Sequence, residues 1–560
     1  MTAALSRTAI PLAELLIDAL KEEGAREVFG IPGDFALAFF KVLEEGGKLP
    51  LYTLSHEPAV GFAADAAARF GGRIGVAAVT YGAGAFNLVN TVATALAERS
   101  PLVVISGAPG KAESQSGLLL HHQAKSLDSQ FRVFQELTCD QARLDNPRTA
   151  AGEIARVLRS ARERSQPVYI ELPRDMVGVP CEPVARLPNR QPDPQALAEC
   201  ADEIMARLEA AKQPVLLIDV EIRRYGLEEK LTDLARRLNL PVVTTFMGRG
   251  LLSFENSPLV GTYLGAAGDP EITRLVEESD ALLMLGVIVC DTNFGVSDKQ
   301  IDLRRALQVS GREVKLGHHL YPDLPLDALM DTLLARLPAA DLVAPRPSLS
   351  PCAPAPLPEG LIADTAAIRP QDVVRAINDL LADQGERPIV SDVGDCLFAA
   401  TDIRPVPFAA CAYYAGMGFA VPGALGAQVA TGKRPLVLVG DGAFQMTGWE
   451  LGNCQRLGLD PIVIVFNNAS WEMLRVFQPE SAFNRLGSTW NYALAAQALG
   501  GRGHQVATRR QLAQALQAAE QERGRFQLIE VLLEPGSQSD RLQRFVEAQK
   551  ARRARIGEAA

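Results

Sequence analysis

Short apolar runs rich in β-branched residues recur along the chain, and each is followed by a longer segment with helical periodicity. Continuously apolar runs are typical of strands buried on both faces, and the amphipathic segments between them supply covering helices. Because the pattern starts again twice, the sequence predicts an α/β fold with three doubly wound parallel-sheet domains. The predicted strands are EVFGI, IGVAAVT, PLVVISG and PVYIELP, then PVLLIDV, PVVTTF and ALLMLGVIV, then PIVSDVG, PLVLVGDG, PIVIVFNN and FQLIEVLL.

Two proline-rich segments without helical period separate the three patterns. They read ELPRDMVGVPCEPVARLPNRQPDPQ and PAADLVAPRPSLSPCAPAPLPEG, a composition typical of extended linkers. We therefore place the domains at 1–185, 195–340 and 365–560. In such sheets ligands bind at the carboxyl ends of the strands, so residues that directly follow strands are the first candidates for a site.

The composition of the chain limits the kinds of binding partner and cellular location that we expect. The 560 residues carry a net charge of −10 without a long Lys/Arg block, which argues against nucleic acid. No apolar run reaches the roughly 18 residues that span a bilayer, and the N-terminus lacks a signal-peptide core. The eight cysteines are scattered, with no Cys-x-x-Cys pair, so we expect neither zinc nor a disulfide framework. A reducing, cytoplasmic location fits this usage.

The strongest local motif is VLVGDGAFQMTGWEL, which predicts a strand, a tight turn and a helix. Glycines in such a turn let backbone N–H groups approach a phosphate. The next predicted strand ends in IVIVFNNAS, so Asp441 and Asn468 are expected at the same sheet edge. Carboxylate, amide and carbonyl oxygens are ligands that suit Mg²⁺. Alone, GDG is a common turn and NN is a common strand end. The two motifs together, on consecutive strands, are a far more specific signal.

The combination of GDG with a following NN resembles the motif of thiamine diphosphate (ThDP)-dependent enzymes. The resemblance implies that Asp441 and Asn468 bind Mg²⁺ through their side chains and Ser470 through its carbonyl. It further implies three domains, pyrimidine-binding (1–185), middle (195–340) and diphosphate-binding (365–560), and active sites formed between subunits of a homodimer or homotetramer.

A ThDP enzyme of this type also needs a glutamate for the aminopyrimidine ring. The first domain has LSHEPAVGFAADAAARFGG, in which Glu57 stands at a helix entrance and Pro58 suits the first turn. An acidic residue there is also favoured by the helix dipole. The resemblance to the family pattern assigns Glu57 to the cofactor. The nearby TYGAGAFNLVN has a GxG turn, but Asn87 replaces the glycine of a dinucleotide fingerprint.

Two adjacent histidines, His121 and His122, lie in a predicted loop, although the chain has only six histidines. A 2-oxo acid decarboxylase must add a proton to the substrate-derived carbon and later remove one from a hydroxyl, work suited to histidine. The pair resembles that of pyruvate and indolepyruvate decarboxylases. The resemblance adds Asp34, in GIPGDFAL, as a catalytic residue. Asp34 also suits a helix N-cap.

Further cofactor contacts follow from the resemblance alone. Met417 stands where the family has an apolar residue that bends ThDP, and Ala415 would accept from its amino group through the carbonyl. The phosphate-side turn is SDVGDCLF, with Val393 in place of a common hydroxyl residue. The remaining implied cofactor-binding positions are Gly394, Asp395, Gly416, Gly442, Ala443 and Met473.

The sequence departs from pyruvate decarboxylases at two pocket positions. Leu474 replaces a catalytic glutamate, and Glu472 is expected to point differently, so we do not transfer that role to it. Leu397 replaces a tryptophan that fills the pocket. With Phe477 as a further wall, these residues predict a 2-oxo acid with a bulky aryl or long alkyl group, as in phenylpyruvate and indolepyruvate decarboxylases. Asp291, after a middle-domain strand, could take part in substrate activation.

Two alternatives remain at this level. A ThDP carboligase such as an acetohydroxyacid synthase would join two oxo acids, but the histidine pair is atypical of that class. A catalytically silent ThDP-fold binding protein would explain Leu474, but Glu57 and the metal motif are intact.

Overall fold

The chain forms two compact units in a computed structural model that describes residues 9–254, 257–294, 301–339, 356–487 and 490–556. The first unit is Met1–Arg190 with Leu425–Gly432, and the second is Gln191–Ala424 with Lys433–Ala560. Much of the second proline-rich linker, including the boundary at 340, lies outside the described residues. The three domain ranges stay predictions.

The first unit is built on a six-stranded, fully parallel sheet with strand order β3-β2-β4-β5-β7-β6, and β1 pairs with β8 in a short antiparallel ribbon. Its strands are β1 Ile10–Pro11, β2 Val28–Gly30, β3 Leu51–Thr53, β4 Gly75–Val79, β5 Leu102–Ala108, β6 Asp140–Arg143, β7 Val168–Pro173 and β8 Pro180–Cys181. Its helices are α1 Leu12–Glu22, α2 Leu37–Gly46, α3 Glu57–Gly71, α4 Ala83–Asn87, α5 Val89–Ala97, α6 Lys111–Ser114, α7 Ser129–Leu137 and α8 Ala150–Arg164.

Helix α3 shows how the sequence sets close packing in this unit. Small residues let α3 approach β4 and α5, because a Cβ at Gly75 would lie 2.0 Å from the Ala64 carbonyl and one at Gly61 2.0 Å from the Thr91 hydroxyl. Inside the same helix, buried Arg69 pairs with Asp65 and with Glu98. These contacts fix the helix whose first residue is Glu57.

The second unit holds two sheets. The first has order β11-β10-β9-β12-β13-β14-β15 and is parallel up to β13, after which β14 and β15 pair antiparallel. Its strands are β9 Pro214–Ile218, β10 Val242–Thr244, β11 Leu259–Thr262, β12 Ala281–Leu285, β13 Leu307–Ser310, β14 Glu313–Leu316 and β15 His319–Pro322. Its helices are α9 Pro194–Ala210, α10 Glu221–Arg224, α11 Glu228–Leu238, α12 Pro270–Glu277, α13 Asp291–Phe294 and α14 Leu326–Arg336, with a 3-10 turn at Gly265–Ala267.

The third sheet is parallel throughout, in the order β17-β16-β18-β19-β21-β20. Its strands are β16 Ile389–Ser391, β17 Phe408–Ala409, β18 Leu436–Gly440, β19 Ile462–Asn467, β20 Arg502–Val506 and β21 Gln527–Leu532. Its helices are α15 Pro370–Gln384, α16 Asp395–Ala400, α17 Ala420–Thr431, α18 Asp441–Thr447, α19 Cys454–Leu457, α20 Glu472–Arg475, α21 Tyr492–Ala498, α22 Arg509–Gln521 and α23 Asp540–Ile556, with 3-10 turns at Gly448–Asn453 and Ala482–Asn484.

All eleven predicted strands are present, and the α/β prediction of three parallel-dominated sheets is confirmed. The antiparallel β13–β14–β15 hairpins were not predicted. Among the described residues, no helix combines the length and apolar character that crossing a membrane requires.

Candidate active site

Asp441 and Asn468 directly follow two strands that pair with each other. Gly440 of β18 pairs with Phe466 of β19, so the two strands end at the same edge of the sheet. The side chains of Asp441 and Asn468 therefore both emerge at that edge. Asp441, Asn468 and Ser470 are all buried. The Ser470 amide donates to Asn468 Oδ1 at 3.1 Å and lies 3.3 Å from Asp441 Oδ2. The structure thus brings the three predicted metal ligands together.

The Asp441 carboxyl is electrostatically unusual. Burial raises its pKa to about 6, although backbone N–H groups, chiefly those of Gly442 and Ser470, partly oppose the rise. Ionising this carboxyl therefore costs free energy, and a cation beside it would offset that cost. With the Asn468 amide oxygen nearby, the donor set has the hard-oxygen chemistry that suits Mg²⁺.

A cavity of about 400 Å³ opens beside these ligands, within the second unit. Most residues predicted for the cofactor or the substrate pocket line it. They are Gly394, Asp395, Leu397, Ala415, Met417, Asp441, Gly442, Ala443, Asn468, Ser470, Met473 and Leu474. Gly416 is not among the described residues that line the cavity, although both of its neighbours are.

Two residues at or beside the cavity lining have strained backbone conformations. Ala415 and Ala469 adopt left-handed conformations, with φ of 59° and 53°. Such conformations are uncommon for residues other than glycine and cluster at functional sites. Asp392 supports the turn that holds Ala415, since its carboxylate accepts from the amides of Gly418 at 3.1 Å and Ala420 at 2.9 Å. Sequence reasoning missed Asp392, although a carboxylate directly after a buried strand was a usable signal.

Asp395 lines the cavity, but its carboxylate is already engaged. It accepts from the Ser539 amide at 2.9 Å and from the Ser539 hydroxyl. Burial raises its pKa to about 6, and these hydrogen bonds partly oppose the rise. Asp395 therefore ties the turn after β16 to the start of α23, and Gly394 provides the φ of 110° that this turn requires.

Glu472 and Leu474 both line the cavity. Leu474 is 53% exposed, whereas Glu472 is 6% exposed and accepts from Gln538 Nε2 at 3.1 Å. The prediction assigned no function to Glu472, and the structure shows a buried carboxylate at the wall. Asp291 and Thr292, at the start of α13, also reach the lining.

An aromatic wall closes another side of the cavity. Ring centroids of Phe246 and Phe398 lie 5.4 Å apart, and those of Phe398 and Phe545 lie 4.9 Å apart. Sequence reasoning found none of these three, because they come from three remote segments. Phe477, which was predicted as a wall, is not among the described lining residues. Its ring packs against the core and lies 5.3 Å from the Arg553 guanidinium, and its role as a pocket wall stays a prediction.

The first unit carries the remaining predicted residues. Glu57 opens α3, with Pro58 in the first turn as expected. Its Oε2 accepts from Asn87 Nδ2 at 2.9 Å. The segment TYGAGAFNLVN, considered above as a dinucleotide turn, therefore holds Glu57. Asn87 is the last residue of α4, which directly follows that turn.

Asp34, His121 and His122 form one cluster. His121 Nε2 is hydrogen-bonded to Asp34 Oδ2, and the two imidazole centroids lie 4.9 Å apart. Phe35 stacks on His121 at 4.7 Å. Partial burial tends to raise the pKa of Asp34, but the hydrogen bond and charge of His121 outweigh it and lower that pKa. Asp34 does not cap α2 as we considered, because the N-cap is Ala36.

Comparison with known proteins bears on the family. Residues 10–133 match the family described as thiamine pyrophosphate enzyme, N-terminal TPP binding domain. Residues 201–337 match its central domain, and residues 392–531 its C-terminal TPP binding domain. The chain belongs to the thiamine pyrophosphate enzymes. Thiamine pyrophosphate is the same compound as ThDP, so the cofactor predicted from the motifs is confirmed.

Individual proteins resemble this chain over nearly its full length. It is 59% identical to the indole-3-pyruvate decarboxylase of Azospirillum brasilense, over 96% of this chain and 98% of the relative. It is 32% identical to an alpha-keto-acid decarboxylase of Mycolicibacterium paratuberculosis, over 95% of each chain. A Mycobacterium tuberculosis protein of the same name is 31% identical, over 93% of this chain and 94% of the relative.

Proposed function

We propose that this protein is a ThDP-dependent lyase that converts a bulky 2-oxo acid, such as phenylpyruvate, indolepyruvate or a long-chain 2-oxo acid, into the aldehyde and CO₂. The observation that carries the proposal is the Asp34–His121–His122 cluster, in which one imidazole nitrogen of each histidine and one carboxylate oxygen lie within 4.8 Å of one another, in the unit that contains Glu57. The relative with 59% identity is itself named indole-3-pyruvate decarboxylase.

The residues present fit ThDP and its metal. Asp441, Asn468 and the Ser470 carbonyl would hold Mg²⁺, since buried Asp441 has an ionisation cost that a divalent cation offsets. The glycines at 440 and 442 lie at the strand-to-helix turn, where backbone N–H groups can meet a diphosphate. When bound, ThDP supplies a nucleophilic carbon and accepts the electron pair left by departing CO₂.

Glu57 would hold the proton shared with the pyrimidine ring of the cofactor. Asn87 donates to one of its oxygens at 2.9 Å and leaves the other oxygen available for that ring. The position of Glu57 depends on α3, which the Arg69 ion pairs fix within the core.

The histidine cluster would move the remaining protons. Because the pKa of Asp34 is lowered, Asp34 stays ionised near neutral pH and can only accept a hydrogen bond. His121 Nε2 therefore carries a hydrogen and donates a hydrogen bond to the Asp34 carboxylate, which fixes the ring orientation. His121 and His122 can then add a proton to the substrate-derived carbon and remove one from the product hydroxyl.

The cavity favours large apolar substrates. Leu397, Leu474 and Phe398 all line it. These side chains offer apolar contacts to an aryl or long alkyl group, and an apolar wall favours the loss of charge when CO₂ leaves. The cavity of about 400 Å³ lies within the range of sites for small organic ligands.

The same proposal includes the oligomeric state and the cellular location of the protein. The resemblance implies active sites formed between subunits, so we propose a homodimer or homotetramer, which light scattering coupled to size exclusion would measure. We also propose a cytoplasmic location, for which the scattered cysteines are the supporting argument.

The test is aldehyde formation from phenylpyruvate, indolepyruvate and pyruvate by protein loaded with ThDP and Mg²⁺. We expect aldehyde from the bulky acids and a loss of at least about 100-fold in kcat for Glu57→Gln. Glu45→Gln, an exposed glutamate of the same unit, is the matched control and should match wild type. Absence of aldehyde from folded, ThDP-loaded wild type would refute the proposal, and products joining two oxo acids would indicate a carboligase.

A further inference from the structure

Gln130 is a polar residue of the first unit whose side chain is almost completely buried, with 1% exposed. Its Oε1 accepts from the Gly82 amide at 2.6 Å. Its Nε2 donates to Ser106 Oγ at 3.0 Å and to the Tyr169 hydroxyl. A backbone N–H can only donate, so the contact with Gly82 fixes which end of the Gln130 amide faces the turn.

The other end of this amide is held by a buried chain of polar groups. The Tyr169 hydroxyl donates to Glu171 Oε1 at 2.9 Å, and Arg143 Nε donates to Glu171 Oε2 at 2.7 Å. Phe134 stacks on the Tyr169 ring at a centroid distance of 4.3 Å. Because both ends of the Gln130 amide are hydrogen-bonded inside the core, rotating it would break several buried bonds at once.

The turn that Gln130 holds lies between the two sets of catalytic residues in this unit. Gly82 has a φ of 62°, and a Cβ placed on it would lie 2.0 Å from the His122 carbonyl. A Cβ on Gly84 would lie 3.5 Å from Glu57 Oε1, and Asn87 at the end of α4 bonds to the same carboxylate. A shift of the turn would therefore change the placement of both His122 and Glu57.

We propose that Gln130 is a positioning residue for the decarboxylation reaction, which fixes the 82–87 turn against His122 and Glu57 through its bond to the Gly82 amide. The inference rests on the proposed function of those residues. Gln130 itself acts through them, since all of its hydrogen bonds are made to other buried groups of the unit.

The test is Gln130→Met, which keeps the length of the side chain and removes its acceptor and donor. We expect kcat with phenylpyruvate to fall about 10- to 100-fold, because small displacements of catalytic groups have effects of that size. The KM and the affinity for ThDP should change little. The pH at which kcat is half-maximal should shift, since it reports the acid–base groups of the bound enzyme.

The matched control is Gln141→Met, a half-buried glutamine of β6 in the same unit, whose amide nitrogen bonds to Thr138 instead. Equal kcat and equal pH profiles for the two methionine variants would overturn the inference. A shared loss of thermal stability with no difference in pH profile would overturn it too, because that is the signature of a purely structural role.

A second variant keeps the test decisive if Gln130→Met does not fold. Tyr169→Phe keeps the ring stack on Phe134 and removes only the hydroxyl between Gln130 and Glu171. Relative to wild type, we expect kcat to fall and the pH of half-maximal kcat to shift, and an unchanged profile would overturn the inference. If wild type itself makes no aldehyde, the proposed function fails, which the same assay shows separately.

Discussion

Replacing Asp441 by asparagine tests two effects of this carboxylate separately. One is the free energy of folding that its burial costs, and the other is its proposed role as a metal ligand. Burial raises the pKa of Asp441 to about 6, against about 3.9 for an unperturbed aspartate. That difference corresponds to about 3 kcal/mol of destabilisation for the ionised, cofactor-free protein at pH 7.5. Asparagine has no charge to bury, so Asp441→Asn should recover this free energy.

The substitution also removes one acceptor. Asparagine can keep its oxygen on the Gly442 amide, which lies 2.8 Å from Asp441 Oδ1. The Ser470 amide then loses a contact at 3.3 Å but retains Asn468 Oδ1 at 3.1 Å. We take this loss as about 1 kcal/mol. The net expectation is a cofactor-free variant about 2 kcal/mol more stable than wild type, or about 2 °C higher in melting temperature.

The pH dependence follows from the direction of the pKa shift. Because the pKa is raised in the folded state, the stabilising contribution of protonated Asp441 is complete below about pH 4 and is lost as pH rises through about 6. The advantage of Asp441→Asn should therefore be full at pH 7.5 and shrink as pH falls towards 4.

The assay is thermal unfolding after chelation, with and without ThDP and MgCl₂. Ligand at 100 times its Kd would stabilise wild type by about 2.7 kcal/mol, and the variant should not respond. Asp219→Asn is the control, since Asp219 is a buried carboxyl of the same unit with a pKa raised by burial to about 7, bonded to Val220 and Ile288. That variant should still respond to the cofactor. A full response by Asp441→Asn, or lower stability than wild type at pH 7.5, would refute the reasoning.

Two further changes test the pocket and the core. Leu397→Trp replaces a buried leucine of the cavity wall by a bulky indole ring, so the ratio of phenylpyruvate to pyruvate turnover should fall. An unchanged ratio would contradict the assignment of Leu397 to the substrate pocket. Arg69→Met leaves the buried carboxylates of Asp65 and Glu98 without their cation and should cost about 3–5 kcal/mol in urea unfolding. The exposed Arg132→Met is its control, and equal stabilities would exclude this role for the buried pairs.

Whether a strand lies inside its sheet or at its edge affects how well the sequence predicts it. The eleven predicted strands include the interior strands β4, β5, β9 and β19, whose side chains are buried on both faces. Two interior strands of the mixed sheet, β13 and β14, were missed. The missed strands include the sheet edges β6, β15 and β20, where the sequences DQAR, HLYP and RGHQV are mixed. An edge strand has one neighbour and partial exposure, so its composition resembles that of a loop.

The sequence alone determined the cofactor motif and the family. Asp441 and Asn468 directly follow consecutive apolar strands, and parallel pairing of neighbours leaves one place for both, at the same sheet edge. Glu57 and the His121–His122 pair were recognisable for a related reason, since each lies within a short contiguous pattern.

Only the tertiary structure decided the aromatic wall of the cavity and the groups that hold the proposed catalytic residues in place. Phe246, Phe398 and Phe545 come from three remote segments, and no local pattern distinguishes them from other core phenylalanines. Gln130 likewise reads as an ordinary polar residue of α7, and its contact with Gly82 joins positions 48 residues apart. Contacts of this kind depend on how helices pack on a sheet, and the periodicity of a single segment carries no information about its distant partners.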